Sequence, residues 1–273
     1  ELQIEIEKYG FASIAPWIYE IAVYVKLNRG DLIGAEEIAN RYLSLTRSLK
    51  NDFLKALALR LLGLIYLGQR DFRKAKEAID HSIEALSKEA PSRYHLHRNK
   101  IIVGLICHET GEVEKGKKQL GEALQYFSSI SGYNSLVEAH LCLAFLKWDQ
   151  NKRKEASLHL QTGFKIMAEK RYKHLYHLGA KYLIKAFLLA LDLKVDVPTD
   201  YIENVLTTRF PSATEEELKK RSKHPNASIR EKIREIQKMR HRSKVSPLRI
   251  ETLGGFRVSR GDSPIEEEKW DRS

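Results

Sequence analysis

Residues 56–85 read ALALRLLGLIYLGQRDFRKAKEAIDHSIEA. Leu59, Leu62, Tyr66 and Leu67 recur at helical spacing and mark one apolar face. Gln69, Arg70 and Asp71 interrupt that pattern, and Phe72, Ala75, Ile79 and Ile83 then mark a second helix. Asp71 stands where a helix N-cap is wanted, because its carboxylate can accept from an otherwise unpaired N–H of the first turn. Gly63 and Ala75 are small, which lets two antiparallel helices approach closely. The stretch is a predicted helical hairpin.

The same text recurs on both sides. RGDLIGA, QRDFRKA, TGEVEKG and QNKRKEA align column for column and end at Ala35, Ala75, Gly116 and Ala156, in steps of 40, 41 and 40 residues. A fixed period of that length is the signature of a stacked array, in which each unit buries its apolar face against its neighbours. A fifth, degenerate pair is expected as a helix from about Tyr172 to Leu193, followed by residues 199–208 after Pro198. Glycine and proline are sparse through the first 190 residues, as long helices require.

Composition narrows the class of protein. With 273 residues and 42% hydrophobic content the chain can bury a large core. No apolar run reaches 18 residues, so no membrane span is expected. The first residue is not Met and no secretory leader is readable, so a cytoplasmic fragment of a longer chain is expected. Cys107 and Cys142 sit among apolar residues and read as structural thiols. The net charge of +11 is concentrated, because residues 219–244 hold eleven Lys/Arg against Glu231 and Glu235. The array itself is therefore close to neutral, and any electrostatic attraction to nucleic acid belongs to that one segment.

The 56–85 hairpin resembles a tetratricopeptide repeat, with Leu62-Gly63, Tyr66, Asp71-Phe72, Ala75 and Ile79 in the motif positions. The other units match more loosely, through Val103-Gly104, Cys107, Gly111, Gly116 and Leu120 in the third, and Leu143-Ala144, Ala156 and Leu160 in the fourth. In the first unit Gly30-Asp31-Leu32, Ala35 and Ala39 carry the match. The resemblance implies an all-α, right-handed superhelix of about five antiparallel helix pairs over residues 1–210, with a period longer than the usual length of about 34. Residues 211–246 are expected to be a basic helical linker. Its break at His224-Pro225-Asn226-Ala227-Ser228 resembles a lone HEAT-type unit.

From Pro247 the periodicity changes to alternation, at Leu248 and Ile250 and then at Phe256 and Val258, with turn signals at Gly254-Gly255 and residues 260–263. Short β-strands are expected over 247–273. Leu248-Arg249-Ile250, Leu253-Gly254, Phe256, Pro264-Ile265 and Trp270 resemble the first strands of the winged-helix domain in bacterial transcriptional activators of the antibiotic-regulatory type. The chain stops at Ser273, before a recognition helix. An array ahead of such a domain resembles the large ATP-binding bacterial regulators of the STAND class. That resemblance implies an ATPase upstream and a repeat arm that senses an inducer.

Several motifs carry less. Residues 111–118 match a phosphate-binding loop except that Lys118 replaces the Mg²⁺-binding hydroxyl, and both glycines have turn and packing duties in the repeat. Arg260-Gly261-Asp262 reads as a hairpin turn. His95/His97 and His174/His177 have no cysteine or clear acidic co-ligand at metal spacing. No nucleophile–base constellation is readable, so no catalytic residue, metal or cofactor is expected and the chain is read as a non-enzyme.

The first helix of each unit lines the concave surface of such arrays. Projected onto that face are Trp17, Glu20 and Tyr24 from the first unit, Arg60 from the second, and Arg98, His108 and Glu109 from the third. The fourth contributes Glu138, Phe145 and Trp148, and the fifth Lys181 and Lys185. Aromatic groups beside charges suit a small-molecule inducer or a peptide or protein partner. Core packing is the competing use of the same aromatics. Two functions follow: a sensing arm that reaches DNA only through the C-terminal domain of the full-length protein, or an interaction scaffold with a peptide or helix in its groove.

Overall fold

A computed structural model describes residues 15–88, 92–173, 175, 177–209, 211–242, 248–251, 257–260 and 263–264. The expected positions at Leu253, Gly254, Gly255, Phe256, Gly261, Asp262, Ile265, Trp270 and His174 lie outside those residues.

Four helical hairpins come first: α1 (Ala15–Arg29) with α2 (Leu32–Ser48), α3 (Asp52–Gln69) with α4 (Phe72–Lys88), α5 (Arg93–Thr110) with α6 (Val113–Ser129), and α7 (Tyr133–Asp149) with α8 (Arg153–Glu169). The turn within each hairpin is built alike. Gly30, Arg70, Gly111 and Asn151 all have positive φ, between 58° and 77°, and recur at the sequence period. The residue after each sends its N–H back five positions: Asp31 to the Lys26 carbonyl, Asp71 to Tyr66, Glu112 to Cys107 and Lys152 to Lys147. This left-handed C-cap closes one helix and releases the next. Where an aspartate follows, it also caps. Asp31 accepts from the Gly34 N–H at 2.9 Å and Asp71 from the Lys74 N–H at 3.0 Å.

Small residues set the spacing within each hairpin. A Cβ on Gly63 would come within 2.5 Å of Ile79 Cδ1, and one on Gly104 within 2.5 Å of Leu120 Cγ. Ala35, Ala75 and Ala156 are wholly buried. Consecutive helices pack pairwise through α8, and alternate helices α1, α3, α5, α7 and α9 (Ala180–Asp192) also touch in series, forming a second layer. The described residues up to Glu169 thus form an all-α array of repeated hairpins.

The fifth unit departs from expectation. The helix expected from about Tyr172 begins only at Ala180, behind Gly179 in an extended conformation (φ −67°, ψ 176°). His177, inside the expected helix, instead spends both its backbone N–H and its ring Nδ1 on Glu138 of α7. A tertiary partner has taken the donor that a helix would have used.

Beyond lie α10 (Thr199–Arg209), α11 (Pro211–Lys220) and α12 (Ala227–Arg242). Asn226 caps the last, accepting from the Ser228 N–H at 3.0 Å. The basic segment is not a solvated linker. Leu218, Ile229, Ile233 and Ile236 are buried in the same core as α5–α9. Lys232 of α12 pairs with Glu203 of α10 at 2.7 Å. Helix α11 also touches α1, so the chain curls back toward its first hairpin. Strands β1 (Leu248–Glu251) and β2 (Arg257–Arg260) pair antiparallel with Ile250 opposite Val258, and β3 (Ser263–Pro264) pairs with β2.

Candidate functional site

The alternate-helix layer gathers ionisable side chains from every unit. Glu20 and Tyr24 lie one turn apart on α1, and Arg60 projects from the middle of α3. Arg60 is fully buried; its Nη2 donates to Glu20 Oε1 at 2.9 Å and its Nη1 lies 2.8 Å from His95 Nδ1 of α5. A guanidinium has only donors, so His95 Nδ1 accepts and the ring proton sits on Nε2. Burial, with the charges of Arg60 and Arg98 behind it, pushes the His95 pKa down to about 3, which keeps this acceptor neutral. Arg98 reaches the Tyr24 hydroxyl at 3.4 Å across 74 residues of sequence, and its guanidinium carbon stands 5.9 Å from the Tyr94 ring centroid.

Glu138 completes the layer from α7. It is wholly buried and accepts twice from His177, from the backbone N–H and from Nδ1, both at 2.5 Å. Burial alone would raise its pKa, but His177 and Arg98 outweigh that and hold it below the usual carboxylate value. Burial pushes His177 the other way, below the ordinary histidine value, so a neutral ring donates to an ionised carboxylate. Two arginines thus face two glutamates in one interior. The fields of Arg60, Arg98, Glu20 and Glu138 all reach the Tyr24 hydroxyl, so the four act as one electrostatic unit. Arg60 Nε and His177 Nε2 remain without a hydrogen-bond partner among the described residues.

A second cluster lies where α5 and α7 end beside α9. His108 Nδ1 meets Asp149 Oδ2 at 2.6 Å, and its Nε2 meets Lys185 Nζ at 2.6 Å. The imidazole stacks on Phe145 with centroids 5.2 Å apart, and Lys185 Nζ lies 5.0 Å from the same ring centre. The His108 side chain is 7% exposed and that of Asp149 33%. Burial lowers the pKa of Lys185 despite the opposing pull of Glu109 and Asp149, and the charges of Arg221 and Lys181 push it the same way. Burial also lowers His108, with Lys185 next in effect, and raises Tyr182, with Glu109 next.

Glu20, Tyr24, Arg60, Arg98 and Glu138 therefore meet in the first cluster, and His108, Glu109, Phe145 and Lys185 in the second, with Lys181 5.0 Å from the Tyr182 ring centre. Phe145 is 1% exposed, a wall beneath His108 rather than an open contact surface. Trp148 joins neither cluster. It has turned toward α8, where Arg153 lies 5.6 Å from its ring. Trp17 is 64% exposed and lines a cleft of about 360 Å³ with Tyr42, Phe53, Leu57 and Glu20, the last shared with the first cluster. His95, Asp149, His177 and Tyr182 are site residues that sequence reasoning missed.

The weaker motifs resolve into repeat geometry. Gly111 is the positive-φ cap of α5, and a Cβ on Gly116 would lie 2.9 Å from Cys107 Cβ, so the phosphate-loop text is a helix–helix turn. Both cysteines are buried with raised pKa values, burial being the main cause. His140 and His159 face each other at 3.0 Å, but no group of three or more metal-ligating side chains occurs among the described residues. No helix among them is long and apolar enough to cross a membrane. Compared with known proteins, the chain matches no family model and no curated sequence.

Proposed function

We propose that this chain is the sensing arm of a bacterial transcriptional regulator, a tetratricopeptide-like superhelix that binds an inducer or partner and relays the event to an ATPase and a DNA-binding domain. The observation that carries the reading is the buried ionisable layer shared by α1, α3, α5, α7 and the segment before α9. Buried ion pairs contribute little net stability, because desolvation offsets most of their attraction. A polar ligand that engages Arg98 or His177 Nε2 therefore trades one set of pairings for another at small cost. Two packings of comparable energy are what a switch requires.

The route outward is short. Helix α9 packs on α11, and α12 packs on α9, α10 and α11, so a shift at Lys185 or His177 is felt at the helix that leads into residues 248–264. The resemblance of 248–270 to the first winged-helix strands supports an output domain there. In this reading the protein is not an enzyme, works in the cytoplasm and touches DNA only through that domain. The cleft beside exposed Trp17 and Phe53 favours a second reading, a scaffold that docks a peptide. Thermal denaturation against a library of metabolites and peptides separates the two. Sensing predicts a small polar hit whose stabilisation is lost in Arg98→Lys, whereas a hit lost in Trp17→Ala and kept in Arg98→Lys supports the scaffold.

A further inference from the structure

Lys185, His108 and Asp149 form a relay whose direction is fixed by hydrogen-bond valence. A lysine ammonium has only donors, so Nζ donates to His108 Nε2 at 2.6 Å. Nδ1 then carries the imidazole proton and donates to Asp149 Oδ2 at 2.6 Å. This arrangement places a base on an amine and a carboxylate behind the base, which is the logic by which a weak nucleophile is activated. The imidazole cannot swing away, because it is stacked on Phe145 and only 7% exposed. Lys185 itself is half-buried against that ring, so its ammonium has lost part of its hydration. The charged and titratable groups around it are Glu109 and Asp149 of α5 and α7, Lys181 of α9, and Arg221 just after α11. Two carboxylates and two cations thus surround the ammonium, with the carboxylates the stronger pair, so burial is what disfavours its charged form.

We propose that Lys185 is an activated amine that captures a carbonyl ligand, an aldehyde or ketone, as an imine. His108 Nε2 takes one proton from the Lys185 ammonium, and Asp149 stabilises the imidazolium. The free Nζ pair attacks the carbonyl carbon, forming the C–N bond while the C=O π pair moves to oxygen, which takes up the proton lost from nitrogen. His108 returns its proton to the carbinolamine hydroxyl, the C–O bond breaks and water leaves. The products are a protonated imine, one water and neutral His108, with no oxidant or reductant required. The inference deepens the sensing reading and rests on it for the biological use of the adduct, but the reactivity of Lys185 stands or falls separately.

The test uses the whole chain, glyoxylate as the probe and cyanoborohydride to trap the imine as carboxymethyl-lysine, quantified by peptide mass mapping. At pH 7.5 Lys185 is expected to label more than about threefold faster than exposed Lys118 and Lys154, because a lowered pKa leaves more of its amine neutral. Its advantage should widen as pH falls from 9 to 7. In His108→Gln the preference should drop to within about threefold of the exposed lysines. A wild-type ratio near one overturns the proposal whether or not any variant folds, and so does a full preference retained in His108→Gln. A non-covalent ligand that still stabilises the chain through Arg98 would leave the sensing reading in place when the imine fails.

Discussion

Replacing Glu138 tests the buried layer most sharply. The carboxylate is wholly buried, accepts two hydrogen bonds from His177 and lies in the field of Arg98. Glu138→Ala removes both acceptors and a counter-charge while leaving the arginines in place. Breaking a buried pair in this way costs about 3–5 kcal/mol, and each stranded donor accounts for about 1–3 kcal/mol of that kind of loss. The two contributions overlap, so a loss of at least about 3 kcal/mol is expected, a large share of the 5–15 kcal/mol typical of a folded domain. Glu138→Gln should behave differently. Its amide oxygen can still accept from the His177 N–H, and its amide N–H faces Nδ1, which His177 can accommodate by moving its ring proton to Nε2. The expected cost is then about 1–3 kcal/mol, from the lost charge and the weaker bonds. Urea denaturation gives the two losses, and the ¹⁵N shifts of the His177 ring report the tautomer. A loss under about 1 kcal/mol for Glu138→Ala would refute the buried pair, and an unchanged tautomer in Glu138→Gln would refute the assignment of the proton to Nδ1.

Gly104→Ala and Gly121→Ala should move stability in opposite directions. The first sets a Cβ 2.5 Å from Leu120 and costs roughly 1–3 kcal/mol, while the second meets nothing within 4 Å and gains up to about 1 kcal/mol from helix propensity; equal effects in denaturant melts would contradict the hairpin spacing. Ile233→Ala should cost about 2–5 kcal/mol and lower the melting of the whole array in one transition, whereas a solvated linker would give almost no change. Acid should destabilise the fold. His140, held down to about 4 by burial and by His159, and His95, held down to about 3, stay neutral when folded and protonate when unfolded. Their stabilising contribution is complete above the ordinary value of 6.5 and is lost as pH falls toward those values, at no more than about 1.4 kcal/mol per histidine per pH unit. A melting temperature that holds or rises between pH 7.5 and 5 would contradict this. Duplex DNA should bind weakly, without sequence preference, and release as salt rises, because only the basic 219–244 stretch offers phosphate contacts; a salt-tolerant, sequence-specific complex would be the contrary result.

The hairpins were legible because their determinants are local. Gly30, Arg70, Gly111 and Asn151 fall on the sequence period and adopt the same left-handed turn, and Ala35, Ala75 and Ala156 are buried where close helix packing requires them. The inner layer was legible in part, since helical projection brings Glu20 and Tyr24 together with Arg60 and Arg98. Asp149 was missed, although a signal existed. His108 and Asp149 are 41 residues apart, Glu20 and Arg60 40, and Glu138 and His177 39, so one period in sequence is one contact in space. Counting a period forward from each charged inner residue would have found Asp149 and His177. The late start of α9 was not readable, because the competing bond from Glu138 is tertiary. Nor was the burial of α12. Its heavy charge masked an apolar edge of Ile229, Ile233 and Ile236, spaced for one helical face. Trp148 was misplaced because the next-to-last residue of a helix can point to either layer, and it lies against Arg153 of α8.

The most direct test of inner-face sensing is a ligand-dependent melting shift compared across two substitutions of opposite placement. Arg98→Lys alters the buried layer, and Leu158→Gln alters an exposed position on α8. A ligand present at about 100 times its Kd stabilises the fold by about 2.7 kcal/mol. Inner-face sensing predicts that this gain appears in the wild type and in Leu158→Gln and is lost in Arg98→Lys. A gain that persists in Arg98→Lys and disappears in Leu158→Gln would place the ligand on the outer helices and contradict it.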